Sequence, residues 1–566
     1  MKNKIIFLLL LFTVSAFLCA QTVHNPNHQI YKDIDRWFVQ GYITDFFPMI
    51  RPYPVLLIHK LLDQVIENGD EQAQEKAALY KNALSPESRF VHLGLSAFAQ
   101  GNEEDYSLII SPFIEGVVHV NDMLNASFNL TLDALSDGLE GEKYTIPGTY
   151  STYPDLEPDI SNIGNFQVLQ NWTSLAAVGT SDVYLQAGLS RTSFGPFFDN
   201  GVVAGPQAPR AGHFSFVYWD PLWSFEILFQ VLTATDDYGL GRFPEKYNVI
   251  HNLSFRPFKN FELSIVQSIV YGNRFEPLYL VPFSYLFGVQ TITGFLDNAI
   301  IGFNLNWRVI DTLQLKGQVF VDDFHFNNFL KGKPHFKAAG IIGVSWAPKN
   351  SVVSNIDFDY TAVMPYMYTH WHEPWYDRYN GLSDPDDPRS KPNGINSGKR
   401  IPNILNYTHY GRNIGPDLEP NSDRFSLRSN WGVIRNLDVN ISSYLIRHGN
   451  ASDGRDKLAG PWNGESGEYH DGSIFDSGST DPWLDESVHP REDSQHNAYK
   501  EMNFLTQSVL DIKLGGTICV TWTIPAFFGT LKLMAGYGIQ QSWNKDLIKN
   551  NNSLDHFWSI GGMFTW

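Results

Sequence analysis

His556-Phe557-Trp558-Ser559-Ile560-Gly561-Gly562-Met563-Phe564-Thr565-Trp566 is the stretch that decides the fold. Trp558, Ile560, Gly562, Phe564 and Trp566 fall on one face of an extended chain, and Ser559, Gly561, Met563 and Thr565 on the other. A strand bordered by lipid shows apolar groups at every second residue and settles aromatic rings at the membrane interface. The pattern therefore predicts the closing strand of a membrane-spanning β-barrel. Many soluble β-proteins also end in an alternating strand, so the reading needs support from the rest of the chain.

The opposite end supplies it. Lys2 and Lys4 precede an apolar run from Ile5 to Leu18, followed by Cys19-Ala20-Gln21. A charged, then apolar, then small-residue order is that of a secretory signal peptide, expected to occupy residues 1–20 with cleavage after Ala20. Lipid attachment at Cys19 would call for a small residue before it, and Leu18 is bulky. Beyond Gln21 no stretch reads as the ~18 uncharged apolar residues of a transmembrane helix. An exported chain that stays in a membrane without such helices must close into a barrel, because lipid offers no partner to an open strand edge.

Composition points the same way. The 566 residues include 40 Phe, 26 Tyr and 15 Trp, enough to furnish aromatic girdles at both interfaces. Without residues 1–20 a single cysteine, Cys519, is left, so no intramolecular disulfide is expected. The net charge of −19 becomes two units more negative without Lys2 and Lys4, which argues against nucleic acid as a partner.

Residues 21–88 differ in character from the rest of the chain. Tyr31–Gln40 has helical spacing, with Ile34, Trp37 and Phe38 together. After Pro52 and Pro54, Val55–Ile66 is apolar at 55, 58, 62 and 65 and stops at Gly69, the order of proline before and glycine after that punctuates helices. Asp70 can cap a third helix, Glu71–Leu84. These residues read as a small helical segment on the periplasmic side, at the barrel's inner mouth.

From about Phe90 the period shifts to two. Ala126, Phe128, Leu130 and Leu132 alternate with Ser127, Asn129, Thr131 and Asp133. Leu531, Leu533, Ala535, Tyr537 and Ile539 alternate with Lys532, Met534, Gly536, Gly538 and Gln540. Leu313, Leu315, Gly317, Val319 and Val321 do the same against Gln314, Lys316, Gln318, Phe320 and Asp322. Spanning strands take ~9–11 residues, so a hairpin with one turn and one loop uses roughly 50. Residues 89–566 then hold an all-β transmembrane barrel of about 16–18 antiparallel strands behind a small N-terminal α-helical segment.

Several short motifs occur in a telling order. They are Ala187-Gly-Leu-Ser-Arg-Thr-Ser-Phe-Gly-Pro196 with Ala208-Pro209, then Arg242-Phe-Pro-Glu-Lys-Tyr-Asn-Val-Ile-His-Asn-Leu-Ser-Phe-Arg-Pro257 running on through Phe261–Gly272. Asp297-Asn298, Gly317-Gln-Val-Phe-Val-Asp-Asp-Phe324, Asn406-Tyr-Thr-His-Tyr-Gly411 and Gly415-Pro416-Asp417 come after them. This order resembles the capsule assembly protein Wzi family across most of residues 90–566, and residues 24–60 look like the helical segment that precedes the barrel there. The resemblance implies an outer-membrane barrel that binds surface polysaccharide and helps attach capsule or exopolysaccharide to the cell. It implies no enzyme, and its ligand positions are not motif-like enough to transfer to named residues.

The constellations that invite chemistry read as ordinary barrel features. His370-Trp371-His372-Glu373 puts two histidines on one strand face, but Pro374 interrupts the strand and the third ligand would have to come from far away. Asp322-Asp323, and Asp357 with Asp359, evoke the carboxylate pair of a glycoside hydrolase. Lumen-facing carboxylates serve solvation in barrels, and no acid is visibly set against a base. A Gly-x-Ser-x-Gly elbow is absent. No catalytic residue, metal or cofactor is expected.

The longest irregular run, 447–500, is an expected outer loop. Between 450 and 501 it holds 12 acidic and 4 basic residues, with Asp471, Asp476 and Asp481 in no EF-hand spacing. Before it, residues 378–435 form a basic island of nine cations against six acids: Arg378, Arg389, Lys391, Lys399, Arg400, Arg412, Arg424, Arg428 and Arg435. Tyr366, Tyr368, Trp371, Trp375, Tyr376 and Tyr379 stand beside it. Aromatic faces for sugar rings and guanidinium groups for carboxylates are what an acidic glycan needs. The candidate glycan-binding residues are Trp371, Trp375, Tyr376, Arg378, Arg389, Arg400 and Arg412. The competing expectation gives the aromatics to an interface girdle and the arginines to lipopolysaccharide phosphates. The expected partners are surface polysaccharide, outer-membrane lipid and, through Trp558–Trp566, the barrel assembly machinery. A porin or solute channel is the alternative function.

Overall fold

From Val91 onward the alternation of the sequence becomes a continuous hydrogen-bonded ladder. A computed structural model describes residues 19–20, 23–85, 91–121, 123–136, 161–234, 245–294, 297–322, 337–365, 367–368, 404–434, 436–449, 504–507, 509–526 and 529–566. The first six barrel strands are β1 Val91–Gly101, β2 Tyr106–Asn121, β3 Leu124–Leu135, β4 Phe166–Gly179, β5 Val183–Ser190 and β6 Ala211–Trp219. Next come β7 Trp223–Thr233, β8 Glu245–Phe258, β9 Phe261–Gly272, β10 Asn298–Ile310, β11 Leu313–Asp322 and β12 Lys337–Trp346. The last are β13 Val353–Val363, β14 Ser422–Ile434, β15 Leu437–Gly449, β16 Leu510–Ala526, β17 Gly529–Trp543 and β18 Ser553–Thr565.

Each strand pairs antiparallel with its neighbours in sequence. β18 returns to β1 in the register Phe564↔Leu95 and Ile560↔Ala99, giving a closed 18-strand barrel. Closure leaves no strand edge to be satisfied, which is the condition for crossing lipid with strands. Short turns such as 180–182, 220–222 and 311–312 lie at one mouth, and longer connections such as 191–210, 273–297 and 364–421 at the other. The outer face carries exposed Leu95, Leu132, Trp172, Leu263, Phe303, Leu427, Leu533 and Ile560, the apolar band of a membrane barrel.

Three helices precede the barrel: α1 Gln29–Val39, α2 Val55–Asn68 and α3 Glu71–Ala83. Asp70 caps α3 by accepting from the Ala73 amide at 2.9 Å. Ile34, Trp37, Phe38, Ile58, Leu62 and Val65 form one core that also takes in Tyr184, Val217 and Trp219 of the barrel wall. A helical unit this small has a marginal core alone, so docking supplies a large part of its stability. It sits at the short-turn mouth. Arg308 of β10 donates to the carbonyls of Phe38 (3.0 Å) and Ile43 (2.7 Å), Gln40 donates to Pro348 O, and Lys60 pairs with Asp182 at 2.6 Å.

Candidate functional site

The inner wall divides into two unlike halves. Along β6–β13 the inward residues are almost fully buried, among them Ser224, Glu226, Asn248, Asn252, Ser268 and Asn298. Along β14–β18 and β1–β3 the inward Asn430, Ser442, Thr517, Lys532, Gln540, Ser559, His92, Glu115 and Asn129 are only half-buried. Something therefore covers one side of the lumen and leaves a polar crescent on the other.

The cover is built from both mouths. From the helices, the Pro-rich run 48–54 enters the lumen, where Ile50–Arg51 pairs antiparallel with Ser193–Phe194 of the 191–210 connection. The Gly195 amide donates to Met49 O at 2.9 Å. Gly195 has φ +99°, and a Cβ there would collide with the Gln318 side chain, so glycine is required where the plug meets the wall. The Glu226 carboxylate of β7 accepts from the Met49 amide at 2.9 Å and the Ile50 amide at 3.0 Å, and also from Asn252 Nδ2 at 3.2 Å. Arg51, fully buried, pairs with Asp35 and lies 3.3 Å from the centroid of the Phe198 ring.

From the long-loop mouth, residues 367–368 and 404–421 fold inward and lock onto 191–210. Tyr368 donates to Val202 O at 2.6 Å, Tyr407 to Val203 O at 2.9 Å, and the two rings stack at 5.7 Å. Gln318 Oε1 accepts from the Val202 amide at 2.6 Å. Met49, Phe194, Val203, Phe320, Tyr368 and Tyr407 belong to one apolar core in the middle of the barrel. Backbone groups that would otherwise be stranded in this interior are answered by wall amides and carboxylates, as buried polar groups require.

Several sequence expectations are corrected by this packing. Tyr368 is not a sugar platform, because it is wholly buried in the plug. Arg424 and Arg428 of the basic island face inward from β14. Arg424 donates to Asn200, and Arg428 bridges Asp199 and Asp359, the latter at 2.7 Å. Asp359 is thus an ion-pair partner, and Asp322 pairs with Lys337 at 3.1 Å. Of the candidate glycan residues, Arg412 is exposed in a small hairpin joining Thr408–His409 to Arg412–Asn413 over the long-loop mouth. Trp371, Trp375, Tyr376, Arg378, Arg389 and Arg400 lie outside the described residues, as do His370, His372, Tyr366 and the run 450–503. No group of metal-binding side chains occurs among the described residues.

Sequence reasoning missed Glu226, Arg51 and Gln318. The signal for Glu226 is faint but present: Trp223-Ser-Phe-Glu-Ile-Leu-Phe-Gln230 puts a carboxylate and an amide four apart on the inward set of an otherwise apolar strand. For Arg51 it is a lone cation between Pro48, Pro52 and Pro54, an extended run that no helix can absorb.

No family model matches the chain, and no curated protein does. Among solved structures it is similar to Wzi of Escherichia coli, described as an outer-membrane protein involved in group 1 capsule assembly and a carbohydrate-binding β-barrel. That likeness has 12% identity and a TM-score of 0.53, covering 96% of this chain and 99% of that one. OprD of Pseudomonas aeruginosa has 8% identity and a TM-score of 0.37, over 84% of this chain and 94% of that one. OccAB2 of Acinetobacter baumannii has 12% identity and a TM-score of 0.39, over 84% and 97%. The likeness to Wzi is one of fold.

Proposed function

We propose that the protein is a non-catalytic outer-membrane barrel that binds surface polysaccharide and helps hold capsule or exopolysaccharide at the cell surface. The supporting observation is the plug. A diffusion channel works by a continuous water path, whereas here the helices and the long-loop mouth meet in mid-lumen through the Ile50–Arg51 and Ser193–Phe194 ladder. On the β6–β13 side, polar wall groups such as Glu226 and Gln318 are spent on holding that plug. The short-turn mouth with its helices is then periplasmic and the long-loop mouth extracellular. The glycan contacts fall to the 364–421 connection, with Arg412 at the mouth and Trp371, Trp375, Tyr376, Arg378, Arg389 and Arg400 in the same run.

Replacing Trp371, Trp375, Arg389, Arg400 and Arg412 together is expected to leave a folded barrel and normal polymer synthesis, with the polymer shed into the medium. Cells that keep their polymer overturn the site. The channel reading draws support from the half-buried polar crescent along β14–β18 and β1–β3. Planar-bilayer recording separates the two: a glycan anchor conducts little, and a porin gives steady ohmic current.

A further inference from the structure

Pro277–Leu296 is twenty residues without one Asp, Glu, Lys, Arg or His, in a connection that begins at the long-loop mouth. A loop in water has no reason for such a run. The described part, 273–294, does not project outward. It folds down the outside of the barrel as a 3-10 turn, Pro277–Leu280, and a short helix α4, Leu286–Thr293, that ends at Gly294 with φ +73°. Its root is fastened at the rim, where Asp297 holds Arg274 (2.5 Å) and accepts from Tyr279 OH (2.6 Å).

Below the rim the segment packs on the outer faces of β7–β9. Phe283 stacks on Phe225 at 4.1 Å and reaches Trp223 at 6.2 Å, while Phe275 meets Phe229 and Tyr247. Phe225, Ile227, Val249, Ile269, Tyr271, Tyr279 and Leu286 form a separate buried core there. What lies beneath is unusual for a lipid-facing wall. His251 and Gln267, paired across β8 and β9, are polar groups on the outward set. The Leu286 amide donates to Gln267 Oε1 at 3.0 Å, and His251, 2% exposed, is roofed by Tyr279 and Ser284. The segment covers two groups that hydrocarbon would penalise.

Its own outer surface is apolar. Ile292 is 84% exposed and Phe283 62%, with Phe275, Leu278, Val281 and Tyr285 also exposed. Such side chains left in water forgo the gain of burial. Beside Phe283 and toward the short-turn mouth, Leu253, Phe255, Leu263 and Ile265 are uncovered and belong to the bare apolar band of the wall, so the two surfaces are continuous. We infer that residues 275–293 form a strap embedded in the hydrocarbon of the membrane, presenting its apolar side chains to acyl chains and sealing His251 and Gln267 from them. Residues 275–293 are accordingly a membrane element and take no part in binding at the long-loop mouth.

The test uses the full-length protein, with Cys19 and Cys519 replaced by serine, reconstituted in phosphatidylethanolamine–phosphatidylglycerol vesicles. Spin labels are placed at Phe283→Cys and Ile292→Cys, with Val281→Cys as a further probe should one label disturb folding. Ile560→Cys on the bare wall and Asn550→Cys in an exposed loop serve as references. The strap labels are expected to collide with dissolved oxygen as the Ile560 label does, and to lose the collisions with a water-soluble nickel chelate that the Asn550 label shows. Nickel access equal to that at Asn550 overturns the proposal in favour of an aqueous loop. Exclusion of both reagents overturns it in favour of a protein partner, such as a second copy, seated on the strap.

Discussion

Glu226 is the sharpest place to disturb the plug. Its carboxylate accepts from two backbone amides of the inserted run, Met49 and Ile50, in a buried setting. Glu226→Ala removes both bonds and the contact to Asn252. A buried donor left unsatisfied costs about 1–3 kcal/mol. Two donors, relieved in part by water entering the space of the lost side chain, give about 3 kcal/mol. At 1.4 kcal/mol per tenfold, opening of the inserted run becomes roughly 100-fold more populated. The barrel ladder is untouched, so the heat-modifiable gel shift of a closed barrel is expected to persist. Hydrogen exchange read at the Met49 and Ile50 amides is the assay, since exchange there tracks local opening. Exchange at these amides is expected to accelerate about 100-fold, while β16–β18 amides keep their protection. Unchanged protection at Met49 and Ile50 would refute the latch.

Further perturbations address other parts of the structure. Asp33 is buried in α1, where burial raises its carboxyl pKa but Lys76 and Arg36 outweigh it and hold the value below the ordinary range. A depressed carboxylate stabilises the fold above its unfolded pKa of about 4 and loses that contribution as pH falls through the folded value. The packing of α1 against α3 should therefore loosen in acid before the barrel opens, and Asp33→Asn should flatten this loss in far-UV circular dichroism; an identical acid profile contradicts it. Arg428→Met leaves Asp359 buried without its cation, at about 3 kcal/mol, and is expected to lower the temperature of the gel shift, with Asp359→Asn restoring part of it. Ile560→Arg puts a charge on the lipid face and is expected to cost ~2–4 kcal/mol and most of the assembled barrel. Ser559→Arg, one residue away and facing the lumen, should assemble normally. Equal yields of the two barrels would mean that the facing of β18 is wrong.

What was legible in the sequence is what alternation and composition encode. Period two, with apolar residues on one set, places Leu531, Leu533 and Tyr537 on lipid and Lys532 and Gln540 in the lumen, as the structure has them. Strand length and hairpin size bracket the 18 strands. The plug was not legible, because it depends on contacts between residues far apart in the chain: Met49 with Glu226, Val202 with Gln318, Arg424 with Asn200. Each side chain alone looks like an ordinary lumen or loop residue. The same limit misled the reading of Arg424, Arg428 and Tyr368. Local charge and aromatic density marked a binding surface, while strand register turned the arginines inward and loop folding buried the tyrosine. The strap was hidden for a different reason. Its uncharged run contains Pro282, Gln290 and Gly288, so it reads as neither spanning helix nor alternating strand.

Whether the protein is a glycan anchor is decided by glycan-array binding with the purified, detergent-folded barrel. Saturable binding to a surface polysaccharide is expected, retained by the folded barrel, lost on heat unfolding and weakened by the Trp371, Trp375, Arg389, Arg400 and Arg412 replacements. A folded barrel that binds no surface glycan contradicts the proposed function.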